Sequence, residues 1–474
     1  MIDPSDIADH IFGGYDISGL VNKDLDIEVL TFLGQGYGTY LSKRRIKETV
    51  VGRDNRLSSD EYEKGFIYGL RKTGINVIDF GLGLSPMMYF SQYLYRTQGG
   101  AFITASHNPK EYNGIKLAVG FSQLMMTDEI KYFKSIVKSG DYTKSEREGS
   151  YKLVDVSSEY KKDLHSKIDL TKKFRVVIDT CNGTAGMFYP DILRSFGCEV
   201  IEQNTKLDGN FPSGNPNPTE KSVQERVASR VLIEKADIGF LYDTDGDRLG
   251  VVDERGNLIW NDSLVSIFAN DILDFLPGSK IIFNNLCSKQ VPESIRSMGG
   301  EPIIWRTGHS YIMAKVSEER APFGGELSGH FFFNDNFYGH DDGMFSSLRL
   351  LSYLARKNIS LGEAVKSLPQ YISSPEIKLG CSDEVKFDLI RDEIAMSLKK
   401  LYPSAEFNEI DGIRLDTEYT MIVARASQNT PFITIKFEAK TKEEYDKIKA
   451  VLSAILHKYP EIDFFSGVNT EILE

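Results

Sequence analysis

Three times along the chain an apolar run passes into a polar loop, then a helix-like stretch, a glycine and a second apolar run. The first runs and their loops occupy 49–56, 175–183 and 280–288. The later part of each copy reads Arg71-Lys-Thr-Gly74-Ile-Asn-Val-Ile, Arg194-Ser-Phe-Gly197-Cys-Glu-Val-Ile and Arg296-Ser-Met-Gly299-Gly-Glu-Pro-Ile. A basic residue three places before a glycine, with apolar residues after it, predicts a helix closing on a glycine cap and then a strand. Each copy runs on to a further strand and a polar loop, at 104–109, 243–248 and 324–330. Continuous apolar strands alternating with helices predict mixed or parallel sheets covered on both faces, with ligands gathering beyond the carboxyl ends of the strands. From about Ser373 the pattern changes. Helical periodicity spans 383–401 and 441–458, strands are expected at 411–416, 421–424 and 434–438, and one polar loop covers 425–431. The predicted fold is therefore α/β: three similar mixed-sheet α/β domains at 1–153, 154–257 and 258–372, and a smaller C-terminal α+β domain at 373–474, around a central cleft.

At roughly 150 residues per domain, 474 residues suit three or four such domains. Hydrophobic residues at 41% and charged residues at 26% exclude wholesale disorder. Asp and Glu exceed Lys and Arg, 68 to 56, for a net charge of -12. That balance argues against a broad nucleic-acid-binding face, and an anionic ligand must be held by a local cationic pocket. Cys181, Cys198, Cys287 and Cys381 form no C-x-x-C pair, which argues against a zinc knuckle or a disulfide framework and suits a reducing cytosol. The acidic N-terminus lacks a basic segment followed by an apolar one, and no apolar run is long enough for a bilayer, so the expectation is a cytoplasmic protein without membrane contact.

The polar loops hold the candidate chemistry. In Thr104-Ala-Ser106-His107-Asn-Pro109 the serine follows an apolar strand, and Asn-Pro is a turn signal. Such a serine suits a nucleophile or phosphoryl carrier, although any one serine before a turn can be only that. Asp243-Thr-Asp245-Gly-Asp247-Arg248 brings three carboxylates to a strand end, where a hard cation would relieve their repulsion. An EF-hand is the rival, but its sixth loop position is Arg248 instead of glycine and its flanks are strands. Oxygen ligands favour magnesium. Glu326-Leu-Ser328-Gly-His330 offers acceptors, a hydroxyl and a titratable ring for sugar hydroxyls and proton transfer, or forms a plain surface turn. Arg425-Ala-Ser427-Gln428-Asn429-Thr430-Pro431 is suited to cradling phosphate. Arg53, Arg56 and the stretch Arg306-Thr-Gly308-His309 lie at further strand ends, where the cations can meet phosphate or serve as ion-pair partners.

These loops, in this order, resemble those of the α-D-phosphohexomutase family, the bacterial phosphomannomutase/phosphoglucomutase group in particular. The likeness runs from Tyr15-Asp-Ile to Phe432-Ile-Thr-Ile-Lys-Phe-Glu438. It implies interconversion of hexose 1- and 6-phosphates, mannose or glucose, through a phosphoserine and a hexose 1,6-bisphosphate. Ser106 is then the phosphoserine. Asp243, Asp245 and Asp247 hold Mg2+, with the Ser106 phosphate as a further ligand. Lys116 and His330 resemble the acid/base residues, and Glu326 and Ser328 the pair that binds sugar hydroxyls. Arg306, Gly308 and His309 fall to the substrate, and Arg425, Ser427, Gln428, Asn429 and Thr430 to the non-reacting phosphate. Arg53, Arg56, His107 and Arg248 support the site. The partners implied are small sugar phosphates, with the protein a monomer or dimer. Gly13 and Ser18 stand where the family often has arginines, Leu286 where it has a lysine, and Thr244 where it has a glycine. Cations lost at Ser18 and Leu286 imply slower turnover unless Arg53, Arg56, Lys289 or Arg306 replaces them. A phosphoglucosamine mutase and a weakly active or non-catalytic sugar-phosphate binder are the alternatives.

Overall fold

In the computed structural model, which describes residues 2–428 and 430–473, the three echoed helices end on the glycines that the pattern picks out. They span Ser59–Lys72, Ala185–Ser195 and Gln290–Ser297. Gly74, Gly197 and Gly299 take φ of 84°, 86° and 78°. Their amides donate to the carbonyls of Arg71, Arg194 and Arg296, and the next residues reach back to Leu70, Leu193 and Ile295. This pair of bonds closes a helix only through a left-handed residue. An added Cβ at Gly197 or Gly299 would meet nothing within 4 Å, so the backbone angle and not crowding calls for glycine.

The chain packs as two units. The first holds the chain up to Asn261 with Val316–Phe323 and Ser328–Ala364, and the second holds Asp262–Lys315, Gly324–Leu327 and the chain from Val365. Within the first unit, one sheet orders its strands Ile17–Leu20, Tyr112–Gly120, Gly99–Ile103, Glu48–Arg53, Asn76–Leu82 and Tyr151–Leu153. Glu48–Arg53 runs parallel to its two neighbours, whereas Tyr112–Gly120 is antiparallel to Gly99–Ile103. Leu30, Leu33, Tyr37, Phe66 and Phe133 pack on this sheet with Val51 and Ala101. A second sheet has the order Leu258–Ile259, Leu249–Val252, Ile238–Tyr242, Arg175–Asp179 and Glu199–Gln203. Its central strand Ile238–Tyr242 is buried at every position, as expected of a strand covered on both faces.

In the second unit Lys280–Asn284 and Glu301–Trp305 pair in parallel, from Lys280 opposite Glu301 to Asn284 opposite Trp305. The C-terminal sheet is antiparallel, with Thr420–Ala426 between Ile413–Asp416 and Phe432–Ala439. Ile394, Leu398, Ile448 and Leu452 pack on it. The helical stretch expected over 383–401 starts at Lys386 and widens to a π-helix at Leu389–Ile394. The loop 243–248 joins two antiparallel strands, Tyr242 pairing with Leu249, as the case against an EF-hand requires.

Candidate active site

Loop 104–109 leaves the carboxyl end of Gly99–Ile103 and is held from behind. The Ser106 amide donates to Thr104 Oγ1 at 2.8 Å, and Thr104 Oγ1 donates to Asp54 Oδ2 at 2.8 Å. The buried Arg56 guanidinium donates to the carbonyls of Ser106, Asn108, Pro109 and Tyr112 at 2.6 to 3.0 Å, with its Nε 3.2 Å from Asp54. Arg56 therefore shapes the serine loop. Arg53 is turned to Asp60 and Glu63, at 2.9 and 3.0 Å. Ser106 itself has φ of 49°. A left-handed non-glycine residue costs on the order of 1 kcal/mol, and such strain persists where surroundings hold it, often beside a reacting group. Its Oγ donates to Asp243 Oδ2 at 2.7 Å and lies 3.3 Å from His107 Nδ1.

Asp243, Asp245 and Asp247 are buried, and each offers an oxygen within 4.8 Å of the others. Burial, then the neighbouring aspartates, pushes the Asp243 and Asp245 carboxyls up. Asp245 Oδ1 is buried without a hydrogen-bond partner among the described residues. Hard oxygen donors, a buried oxygen left over and mutual repulsion all fit a divalent cation such as magnesium. Tyr189 braces the loop by donating to the Gly246 carbonyl at 2.6 Å. The Arg248 amide donates to Asp243 Oδ1 at 3.2 Å, and its Nε lies 3.7 Å from Asp243 Oδ2. Lys116, from Tyr112–Gly120, donates to Asp245 Oδ2 at 2.7 Å, to Ser85 Oγ at 3.1 Å and to Asp247 Oδ2. Burial works against this ammonium, but Asp245, Asp247 and Asp341 outweigh it and hold its pKa well above the ordinary lysine value.

His330 is buried, its Nδ1 2.7 Å from Asp341 Oδ2 and 3.7 Å from Asp247 Oδ1. Burial and the nearby Arg248 push the ring down to about 3, so it is neutral near pH 7. Asp341 was not singled out from the sequence. The available signal was the acidic pair before Gly343, where Asp342 caps helix Gly343–Lys357 by accepting from the Phe345 amide at 2.9 Å. Ser328 is half-buried two residues before His330. Ser18 lies opposite Gly114 on the neighbouring strand, two residues before Lys116.

The second unit gathers other expected residues. Arg425 is the next-to-last residue of the buried strand Thr420–Ala426 and donates through Nε to Asp411 Oδ2 at 2.8 Å. The Gly308 amide donates to Glu326 Oε1 at 2.8 Å. Ser427 Oγ lies 2.8 Å from Thr430 Oγ1, and the Ser427 amide donates to the Phe432 carbonyl. The buried Lys386, another residue missed from the sequence, holds this turn by donating to the Thr430 carbonyl at 2.7 Å. Gln428 is exposed, and Asn429 lies outside the described residues. His309 Nε2 is 3.2 Å from Ser310 Oγ. Arg306, Thr307, Tyr311, Asp411 and Gln428 help to line a cavity of about 350 Å3. Leu286 is buried, and the fully buried Arg414 donates to the carbonyls on either side of it, at Asn285 and Cys287. Of the cations expected to stand in for a lysine there, Lys289 lies 3.9 Å from Glu293, whereas the exposed Arg306 stacks over Tyr311 at 5.2 Å beside the cavity.

A hydroxyl set against three clustered carboxylates and an ammonium suits phosphoryl transfer assisted by a divalent cation. Models of phosphoglucomutase/phosphomannomutase α/β/α domains I, II and III match residues 9–143, 158–256 and 260–371. A phosphomannomutase/phosphoglucomutase of Pseudomonas syringae pv. tomato is 34% identical over 458 residues, covering 96% of this chain and 97% of its own. A phosphoglucomutase of Neisseria gonorrhoeae is 32% identical over 456 residues, covering 96% and 98%. A crystal structure of a phosphoglucomutase/phosphomannomutase family protein from Burkholderia thailandensis matches with a TM-score of 0.88 at 34% identity, over 95% of this chain and 98% of that one. The chain belongs to the phosphoglucomutase/phosphomannomutase family, whose members interconvert hexose 1- and 6-phosphates and depend on magnesium. No helix among the described residues is long and apolar enough to cross a membrane.

Proposed function

We propose that this chain interconverts the 1- and 6-phosphates of glucose and mannose through a phosphoserine at Ser106 and a hexose 1,6-bisphosphate. The observation that carries this reading is the 2.7 Å contact of Ser106 Oγ with Asp243 inside a cluster that also holds Asp245, Asp247 and Lys116. The names of the relatives support the choice of sugars. Asp243, Asp245 and Asp247 hold magnesium, which when bound offsets negative charge on the transferring phosphoryl group. In the first transfer the bond from Ser106 Oγ to phosphorus breaks and a bond from a sugar hydroxyl oxygen to phosphorus forms. His330, neutral and oriented by Asp341, accepts the hydroxyl proton. Lys116, charged, supplies a proton to the serine oxygen, and the second transfer reverses these parts. Glu326 and Ser328 bind sugar hydroxyls, assisted by Gly308 and His309. Arg425, Ser427, Gln428 and Thr430 bind the non-reacting phosphate with Arg306, in a protein divided at 153, 257 and 372 and working in the cytoplasm.

A coupled assay on glucose, mannose and glucosamine 1-phosphates, with intact-mass measurement, tests the proposal. Parent protein is expected to turn over the first two and to carry one phosphoryl group on Ser106. Ser106→Ala is expected to lose turnover while keeping its fold. Undiminished turnover by Ser106→Ala sinks the phosphoserine route, and a preference for the glucosamine ester replaces the substrate.

A further inference from the structure

We infer that Asp411 is the positioning residue of the phosphate anchor, setting the orientation of Arg425 and tying it to the 307–308 corner. The inference rests on the reading of Arg425 as a phosphate ligand. Asp411 is 8% exposed, and a single carboxylate oxygen, Oδ2, accepts two bonds: Arg425 Nε at 2.8 Å and the Thr307 amide at 2.9 Å. Its backbone carbonyl accepts a third, from Asn285 Nδ2 at 3.1 Å. One residue thus joins the loop after Lys280–Asn284, the loop after Glu301–Trp305 and the end of Thr420–Ala426. With Nε engaged, the planar guanidinium is held at its root, and its two Nη atoms, which bond no other described residue, can meet an anion as a fork.

The position of Asp411 is set by the chain as well as by its bonds. Gly412 has φ of 78°, and a Cβ there would lie 2.3 Å from the Ala424 carbonyl and 2.7 Å from Arg425 Cα. The Asp411-Gly412 turn is therefore pressed against the strand that carries Arg425, so the carboxylate cannot follow a wandering guanidinium. Its partner at Thr307 precedes Gly308, whose own amide is held by Glu326 at 2.8 Å. Two buried carboxylates fix two successive amides of one corner, and Asp411 extends that corner to the arginine. An ionised acceptor makes both of its bonds charge-assisted, and holding an arginine in one rotamer before the ligand arrives lowers the cost of binding.

The test is calorimetric binding of glucose 6-phosphate to the full chain, together with KM and kcat. Asp411→Ala is expected to weaken binding on the order of tenfold, the size of one charge-assisted hydrogen bond, with KM rising in step and kcat falling less. Asp411→Asn, which keeps an oxygen able to accept both bonds, is expected to recover most of the affinity. The double variant with Arg425→Ala is expected to bind no more weakly than Arg425→Ala alone, because the two residues act through one contact. Asp411→Glu, with its longer arm, is expected to weaken binding as alanine does, and decides the matter if the alanine variant does not fold. Parent-like affinity in Asp411→Ala or Asp411→Glu, or losses that multiply in the double variant, overturn the role. A parent that binds with this pattern of variants but turns over no hexose phosphate overturns the mutase reading alone. A parent that turns over, with an indifferent Asp411→Ala, overturns the positioning role alone.

Discussion

Burial pushes the Glu63 carboxyl up to about 8, Asp79 adds to the rise, and Arg53, 3.0 Å away, pulls against it. The folded chain therefore binds more protons at this group than the unfolded chain between the ordinary glutamate range and about pH 8. Stability from Glu63 is present in full below that range and is lost as pH rises through about 8. Urea midpoints measured from pH 5 to 9 should fall as pH rises, and Glu63→Gln should flatten that part of the slope. Other residues show where reading from the sequence stops. Ser106, the three aspartates, His330 and Arg425 could be singled out because each belongs to a short string whose residue types suit the proposed chemistry, and Lys116 through the family resemblance. Asp341, Lys386 and Asp411 could not, because their roles lie in partners outside any one short string, such as Asp341 with His330, Asp411 with Thr307 and Lys386 with Thr430. Arg56 was singled out for charge, yet what it does is hold four carbonyls roughly fifty residues ahead, and a local motif carries no record of that.

The ends of the three echoed helices were the most legible features, because one backbone angle at one glycine decides each of them. Gly197→Ala should cost about 1 kcal/mol, since its φ of 86° is strained for any residue with a Cβ. Gly197→Asn should cost less, asparagine being the residue that best tolerates this angle after glycine. Denaturant titration of the two variants against the parent checks the order. Strands buried on both faces were equally plain, as Ile238–Tyr242 shows. The π-helix at Leu389–Ile394 was not, since apolar residues three and four apart serve an α-helix and a single wider turn alike. The two-residue strands Gln123–Leu124 and Leu258–Ile259 are too short for alternation to register, and they exist because a longer neighbour offers them an edge.

At the scale of the whole molecule, a net charge of -12 gives no general attraction for a phosphate ester, so binding must be concentrated at a few cations and a metal. Magnesium that binds the folded chain and not the unfolded one should stabilise it by about 2.7 kcal/mol at about 100 times its Kd. Thermal unfolding with and without magnesium should show that gain in the parent and little of it in Asp245→Asn. A gain of equal size in both would move the metal elsewhere. The matched ends of the three echoed helices bear on how such a chain arose. Copying one ancestral segment twice would yield three helices that stop in the same way and three strand ends free to diverge. The turn that stops each helix resists change, because glycine takes a left-handed backbone at the least cost, whereas a loop at a strand end accepts many residues. Such descent would keep the glycines alike while one loop acquired a serine, the next a trio of aspartates and the third a histidine, a division of labour among siblings.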